Sequence, residues 1–174
     1  MAEDPVLTEL KALVVKRRWS RNIMRTNLGG ATHYRNGWKN LVEGVFSNTE
    51  RGEDSKIVKL CREMLGEHIT DVCCNRQVHC GPHRDKKNES ESYFLMSGDF
   101  EGGALLIEEP GSSMFMPETL RRIEEKDTWS VFRGDRDLHW NEPITSGTKY
   151  SLVCFARKPP TFSKQGRDGR SQGS

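Results

Sequence analysis

The chain has 174 residues, of which 34% are hydrophobic and 30% charged, and its formal net charge is +2. This apolar content suffices for one core but not for two, and no run approaches the roughly 18 apolar residues of a membrane helix. The acidic N-terminus lacks a secretory signal, and five cysteines, two of them adjacent, are typical of reduced thiols, so we expect an intracellular protein, nuclear or cytoplasmic.

Two helices are predicted in the first part of the chain. Apolar residues recur at helical spacing over residues 6–18, and Asp4 followed by Pro5 is a suitable start. A second apolar stripe follows Ser55, which can cap the helix, and Gly66 can end it. We therefore expect residues 1–68 to form a helical part.

A basic segment with interleaved aromatic residues overlaps the end of the first helix. Seven Lys and Arg residues and no acidic residue occur from Val14 to Asn40, together with two Trp, one His and one Tyr. Basic side chains neutralise phosphates and aromatic faces stack on bases, so DNA is a candidate partner. The candidate nucleic-acid-binding residues are Arg17, Arg18, Arg21 and Arg25. A solvated helix face followed by a loop held by tryptophans is the alternative interpretation.

After Gly66 the segments become short, β-branched or aromatic, and separated by turn residues. The predicted strands are 69–80, 92–97, 104–108, 128–132, 137–141 and 149–156, with a turn at 98–103 and an insertion at 109–127. The polar residues from 159 to 174 predict a disordered tail. The order of elements indicates an α+β domain over residues 1–158, with a β-sandwich or barrel core at 69–158.

Two potential metal ligands, His83 and Asp85, stand two positions apart in the sequence "HRDKKNESES". On an extended strand their side chains leave the same face. The best third ligand is His139, which follows a predicted strand. Two histidines and one carboxylate suit non-haem Fe(II), because three coordination positions stay open. Lys149 and Ser151 are again two positions apart, and a buried lysine there would pair with a dicarboxylate.

Four motifs recur in this order in a known superfamily. The segments "HRDKKN", "GDFEGGALLIEE", "WSVFRGDRDLHW" and "GTKYSLVCFARK" resemble those of the iron- and 2-oxoglutarate-dependent dioxygenases. The branch that contains the TET 5-methylcytosine dioxygenases and the J-binding-protein thymine hydroxylases is the most similar. The resemblance covers residues 70–157, about half of the chain.

The resemblance implies a double-stranded β-helix, or jelly roll, with the N-terminal helices packed on it. It implies that the cofactors are Fe(II), 2-oxoglutarate and O2, and that the reaction hydroxylates a C–H bond, most readily on a nucleobase methyl group such as that of 5-methylcytosine or thymine. The residues that it assigns to iron are His83, Asp85 and His139. Those that it assigns to the cosubstrate pocket are Lys149, where this branch usually has Arg, Ser151, Asn88 and Tyr93.

Two other functions are compatible with the sequence. The same chemistry could act on a protein side chain or a small molecule, because the motifs do not define the substrate groove. A zinc-binding interaction module is the non-enzymatic alternative, with ligands from Cys73, Cys74, His79, Cys80 and His83. The polar run after Asp85 is expected to form a loop over residues 86–91 at the rim of the active site.

Overall fold

The computed structural model describes residues 2–17, 19, 26–28, 42–45 and 54–158, with backbone only for 26–28 and 42–45. The predicted tail at 159–174 lies outside these residues, as do Arg18, Arg21 and Arg25. Within the described part, no helix is long and apolar enough to cross a membrane.

Two helices occur in the described N-terminal part, as predicted. Helix α1 spans Pro5–Lys16, and the Asp4 carboxylate caps it by accepting the backbone N–H of Val6 at 2.8 Å. Helix α2 spans Asp54–Leu65, so Ser55 lies inside the helix and does not cap it. Gly66 follows α2 with a φ of 122°, and its N–H donates to the Arg62 carbonyl.

The strands of the described residues build three antiparallel groups. They are β1 (Thr26–Leu28), β2 (Val42–Val45), β3 (Asp71–Cys80), β4 (Asn88–Ser97), β5 (Phe100–Gly102), β6 (Leu105–Glu108), β7 (Arg121–Ile123), β8 (Ser130–Phe132), β9 (Leu138–Asn141), β10 (Ile144–Gly147) and β11 (Tyr150–Arg157). The large sheet has the order β1-β3-β11-β4-β8, with β2 also paired to β3. A smaller sheet has the order β7-β6-β9, and β5 pairs with β10.

The two larger sheets form a jelly roll. A bridge between His83 and His139 adds the segment after β3 to the smaller sheet beside β9. The chain therefore passes between the large and the small sheet after β3, after the His83 segment and again after β4. This alternation places the last strand, β11, between β3 and β4, and it pairs with both of them. The predicted jelly-roll fold with helices packed on it is confirmed.

The large sheet is buried on both faces. One face packs on α1 and α2 through a cluster that includes Leu10, Ile57, Leu95 and Leu152. The other faces the small sheet across a second cluster. The second cluster contains Phe94, Met96, Phe100, Leu105, Ile107, Ile123 and Phe132. Because alternate residues of a strand face opposite sides, β4 and β11 supply both clusters.

Three predicted boundaries differ from the structure. Strand β4 begins at Asn88, so the polar residues 88–91 belong to a strand and not to a rim loop; only Lys86 and Lys87 form a turn. The insertion at 109–127, which contains a short 3-10 helix at Pro117–Thr119, also contains strand β7, which was not predicted. The turn at 98–103 contains β5. Strands β5 and β7 are three-residue edge strands that carry polar residues, so they are hard to recognise in the sequence.

Candidate metal centre

The three candidate ligands are brought together by backbone pairing between distant segments. His83 and His139 exchange both backbone hydrogen bonds, each 3.1 Å from nitrogen to oxygen. The Asp85 N–H donates to the Gly134 carbonyl at 2.8 Å. The segment that carries His83 and Asp85 is therefore fixed on both sides of Arg84, against β9 and against the turn that precedes it.

Both imidazole rings are oriented by a backbone carbonyl. Nδ1 of His83 lies 2.7 Å from the Gly81 oxygen, and Nδ1 of His139 lies 2.9 Å from the Asp137 oxygen. A carbonyl oxygen only accepts hydrogen bonds, so Nδ1 carries the proton in each ring. Nε2 is then the nitrogen of each ring that can bind a metal ion.

The two Nε2 atoms converge on the Asp85 carboxylate. His139 Nε2 lies 3.2 Å from Oδ2, and His83 Nε2 lies 3.7 Å from Oδ1. The ligand atoms of the three residues all lie within 4.8 Å of one another. Two neutral imidazoles and one carboxylate on one side of a common centre fit a non-haem Fe(II) ion, which uses such a facial triad.

Two residues that the sequence did not single out shape this centre. The Phe132 ring packs edge-on against His139, with 5.0 Å between ring centroids. A side chain at Gly134 would be crowded, because a Cβ atom there would lie 3.1 Å from Phe132 and from Ser92 Oγ and 3.3 Å from Asp85 Oδ2. Both residues belong to the "FRGD" segment of the sequence, but only the fold shows which atoms they contact.

The cavity beside the three ligands extends between the two sheets. Its wall includes apolar side chains from both sheets and a few polar groups. The lining residues are Cys73, Asn75, Val78, Cys80, Phe94, Leu105, Phe132, Asn141, Ser151, Val153 and Phe155, besides the three ligands. Asn75 donates from Nδ2 to Ser151 Oγ at 3.3 Å, which orients the hydroxyl. The predicted position of Ser151 inside the roll therefore agrees with the structure.

Lys149 is buried on the same face of the sheet as Ser151, with 2% of its surface exposed. Its ammonium group donates to the Gly103 carbonyl at 2.6 Å and lies 5.7 Å from the centroid of the Phe94 ring. Burial lowers the pKa of Lys149 to about 8. Gly103 permits this packing, because a Cβ atom there would lie 3.1 Å from the Lys149 chain. The ammonium group therefore lies near Phe94, which lines the cavity.

Comparison with a solved structure identifies the type of jelly roll that this chain forms. The chain aligns with an oxidoreductase of the 2OG-Fe(II) oxygenase family from Burkholderia pseudomallei at a TM-score of 0.53 and 14% identity, over 86% of this chain and 76% of that one. The chain has the fold of a 2OG-Fe(II) oxygenase.

Two further structures align less well. A prolyl-4-hydroxylase from Pseudomonas putida has a TM-score of 0.47 and 14% identity, over 89% of this chain and 87% of that one. NgTET1 in complex with 5mC DNA has a TM-score of 0.42 and 17% identity over 61% of this chain, which spans 43% of that protein. No protein-family model and no curated protein matches the chain.

Asn88 and Tyr93, the other two residues predicted for the cosubstrate pocket, lie in different surroundings. Asn88 is buried at the start of β4, where its N–H donates to the Asp85 carbonyl at 2.9 Å. Tyr93 lies on the opposite face of β4 from Phe94. It packs on the helix-side cluster, and its hydroxyl is 3.3 Å from His68 Nε2. The expectation that Tyr93 lines the pocket is therefore corrected, because alternate residues of a strand face opposite sides.

Arg17 is not available to nucleic acid. Its side chain is 1% exposed and forms a two-point ion pair with Asp54, through Nε–Oδ1 at 3.1 Å and Nη2–Oδ2 at 2.9 Å. Its guanidinium group also stacks on Trp19 at 4.7 Å. The absence of acidic residues near Arg17 in the sequence was misleading, since its partner lies 37 positions away. The prediction for Arg17 is wrong.

The geometry does not favour the zinc-module alternative. Cys73 and Cys80 line the cavity, whereas Cys74 faces the helices. Burial raises the pKa of Cys74 well above that of an ordinary thiol, which opposes the thiolate that zinc requires. Among the described residues, the set whose ligand atoms converge is His83, Asp85 and His139.

Proposed function

We propose that the protein is an Fe(II)- and 2-oxoglutarate-dependent dioxygenase that hydroxylates a C–H bond. The observation that carries this proposal is the convergence of His83 Nε2, His139 Nε2 and the Asp85 carboxylate at the end of a cavity inside a jelly roll. Both histidines are held by carbonyls in the tautomer that metal binding needs. The oxygenase fold supplies the context for this ligand set.

Lys149 and Ser151 would hold the cosubstrate. A buried ammonium group with no carboxylate beside it among the described residues is costly, and a dicarboxylate would offset that cost. The Ser151 hydroxyl, two residues further along on the same face, lines the cavity together with the metal ligands and can donate to the same carboxylate. Lysine supplies charge but not the two-point geometry of an arginine.

The protein contributes position and electrostatics to the reaction. When bound, iron supplies the activation of O2 that couples oxidative decarboxylation of 2-oxoglutarate, giving succinate and CO2, to substrate hydroxylation. His83, Asp85 and His139 hold the metal, and the carbonyls behind them keep the rings from turning. The apolar side chains of the wall limit the access of water.

We further propose that the substrate is a methyl group on a nucleobase in DNA. The ordered motifs that resemble the TET and J-binding-protein branch support this choice. Arg17 no longer contributes to it, and Arg18, Arg21 and Arg25 remain predicted contacts outside the described residues. Chemistry on a duplex base would require the base to leave the stack.

Anaerobic reconstitution with Fe(II) tests the activity. We expect a weak visible absorption band when 2-oxoglutarate is added, and succinate release after O2 is admitted. His83→Ala and Asp85→Ala should abolish both signals while the circular dichroism spectrum is kept. His68→Ala is the matched control, because His68 lies outside the centre. Normal turnover by either ligand variant would refute the site.

The substrate is tested by measuring succinate release with 5-methylcytosine DNA, thymine DNA, RNA, peptides and small molecules. We expect stimulation by a modified or thymine-containing DNA. If only a peptide or a small molecule stimulated succinate release, the oxygenase activity would be supported and the assignment of a nucleobase substrate would be refuted. The single domain at 1–158 and the intracellular location, nuclear or cytoplasmic, stay predictions.

A further inference from the structure

The loop between β6 and β7 carries the most exposed large apolar residues of the described chain. Phe115 is 90% exposed, and its neighbours Met114 and Met116 are 38% and 54% exposed. Three consecutive large apolar side chains in water are unfavourable, and such patches mark interaction sites. We call residues 109–120 the β6–β7 loop.

The β6–β7 loop is held by a dense set of hydrogen bonds. The Met114 N–H donates to Glu108 Oε2 at 2.9 Å, and the Phe115 N–H donates to Ser113 Oγ at 3.1 Å. Thr119 Oγ1 accepts the Ser113 N–H at 2.9 Å and donates to the Met116 carbonyl at 2.7 Å. These bonds fix the backbone that displays Phe115, so little entropy is lost when the ring binds a partner.

The register of the small sheet places this loop at the metal end of the roll. Ile107 pairs with His139, and His139 pairs with His83. Strand β6 continues past this row to Glu108, and the loop starts there. The segment that carries Asp85 leaves the sheet at the same end of the strands, two strand spacings from β6, which is roughly 10 Å.

The turn after Asp85 adds positive charge to this edge. Lys86 and Lys87 are exposed, and neither forms an ion pair with a residue that the structure describes. The neighbouring Arg133 and Arg136 are in contrast neutralised by Asp135 and Asp137. The acidic residues of the loop are partly engaged as well, since Glu108 accepts the Met114 N–H and Glu109 lies 3.8 Å from Arg121. Glu118 is the exposed acid that remains there.

We propose that the β6–β7 loop and the Lys86–Lys87 turn form a nucleic-acid-binding surface at the mouth of the metal cavity. Phe115 stacks on a base or enters a base step, and the two lysines contact phosphates on the same strand. An exposed aromatic ring and two exposed lysines at the same end of the roll fit a strand of phosphates and flat bases better than they fit an apolar peptide. This inference rests on the proposed function, because it assigns the surface that delivers the substrate to the centre.

Binding of DNA to the full chain tests the proposal. The protein is loaded with Fe(II) and 2-oxoglutarate without O2, so that binding is measured without turnover. The probes are single-stranded and duplex oligonucleotides with a fluorescent label, and others with 2-aminopurine, whose emission falls on stacking. We expect Phe115→Ala to weaken binding about tenfold or more and to abolish the quenching of 2-aminopurine. Phe115→Trp should retain both.

The lysines are tested through the salt dependence of binding. Replacing Lys86 and Lys87 by alanine should reduce the slope of log affinity against log salt by about 1 for each lost phosphate contact. Val15→Ala and Lys56→Ala are the matched controls, because these exposed residues lie on α1 and α2. Both controls should bind as the unchanged protein does.

Succinate release in the absence of a nucleic acid separates the two proposals. This release should be unchanged in Phe115→Ala, since Phe115 lies outside the catalytic centre. If release occurs but Phe115→Ala binds every oligonucleotide normally, the surface is refuted and the oxygenase stands. If release is absent but binding depends on Phe115, the surface is supported and the oxygenase fails. Phe115-dependent binding to peptides and not to oligonucleotides would overturn the surface.

Discussion

At the scale of single residues, hydrogen bonds determine what each ionisable side chain can do. His83 and His139 present Nε2 because a carbonyl holds Nδ1 in each ring. The Lys149 ammonium group donates to the Gly103 carbonyl, and burial of this group lowers its pKa. The residue types predicted a metal centre and a lysine that pairs with a carboxylate of the cosubstrate. The tautomers and the state of the lysine depend on contacts that no sequence spacing shows.

The affinity for 2-oxoglutarate should depend on pH through Lys149. Burial lowers its pKa to about 8 in the free protein, and a bound carboxylate would raise it again. The complex therefore holds the proton more tightly, so affinity should be highest below pH 8 and fall as the pH rises through 8. Calorimetric titration across this range is the measurement, and a flat profile would contradict the assignment.

Substitutions of Lys149 distinguish the contribution of its positive charge to 2-oxoglutarate affinity from that of its side-chain shape. Lys149→Met should weaken 2-oxoglutarate binding about 10- to 100-fold and remove its pH dependence, because the charge-assisted bond is lost. Lys149→Arg should retain or improve affinity, and Lys149→Glu should lose it. Unchanged affinity in the Met variant would place the cosubstrate elsewhere.

Gly134→Ala should weaken metal binding more than it affects stability. The new Cβ atom would displace the Asp85 carboxylate or the Phe132 ring, and similar disturbances behind metal ligands cost about 10–100-fold in affinity. Gly111→Ala is a useful control, because φ is +89° there and nothing lies within 4 Å. That variant should lose stability and keep its metal affinity, as measured by denaturation and metal titration.

At the scale of elements, the periodicity of each segment predicted most strands, but local departures decided which side chains face the cavity. In β3 the lining residues are Cys73 and Asn75, then Val78 and Cys80. The alternation changes phase at Gln77, which has a φ of 57°. A one-residue shift turns every later side chain to the other face. Sequence alternation alone could not locate it.

Helix α1 shows the same limit for charge. The basic run at its end predicted contacts with DNA, yet Arg17 joins α1 to α2 through Asp54. Arg17→Ala should lower the free energy of unfolding by about 3–5 kcal/mol, because the buried Asp54 carboxylate loses both bonds from the guanidinium group. Lys56→Ala, which breaks the exposed pair with Glu9, should change it much less, because solvent screens that pair. Urea denaturation compares the two, and equal losses would contradict the buried role.

At the scale of the whole molecule, the jelly roll couples the metal centre to folding. The ligands come from two segments that meet only when β9 lies beside the His83 segment. An ion that binds this folded arrangement and not the unfolded chain must stabilise the protein.

Metal should therefore raise the melting temperature in a concentration-dependent way. At about 100 times the dissociation constant the gain is about 2.7 kcal/mol, which corresponds to roughly 5–10 °C for a domain of this size. Asp85→Ala should show no increase with Fe(II) under anaerobic conditions, whereas His68→Ala should show the full one. An equal increase in Asp85→Ala would mean that the ion binds elsewhere.

The sequence by itself determined the two helices, the longer strands, the H-x-D pair, the distant His139 and the lysine just before the last strand, because residue type and local periodicity carry that information. Only the tertiary structure decided that Arg17 is buried, that Tyr93 faces the helices, that Gly134 makes room for Asp85 and that Phe115 lies at the metal end. Each of these depends on a partner far along the chain, and local spacing does not specify such contacts. The stretch "HRDKKN" combines both kinds of information: its first and third residues could be recognised as ligands, but only the sheet register shows that its two lysines and the loop with Phe115 follow strands that end on the same side of the small sheet.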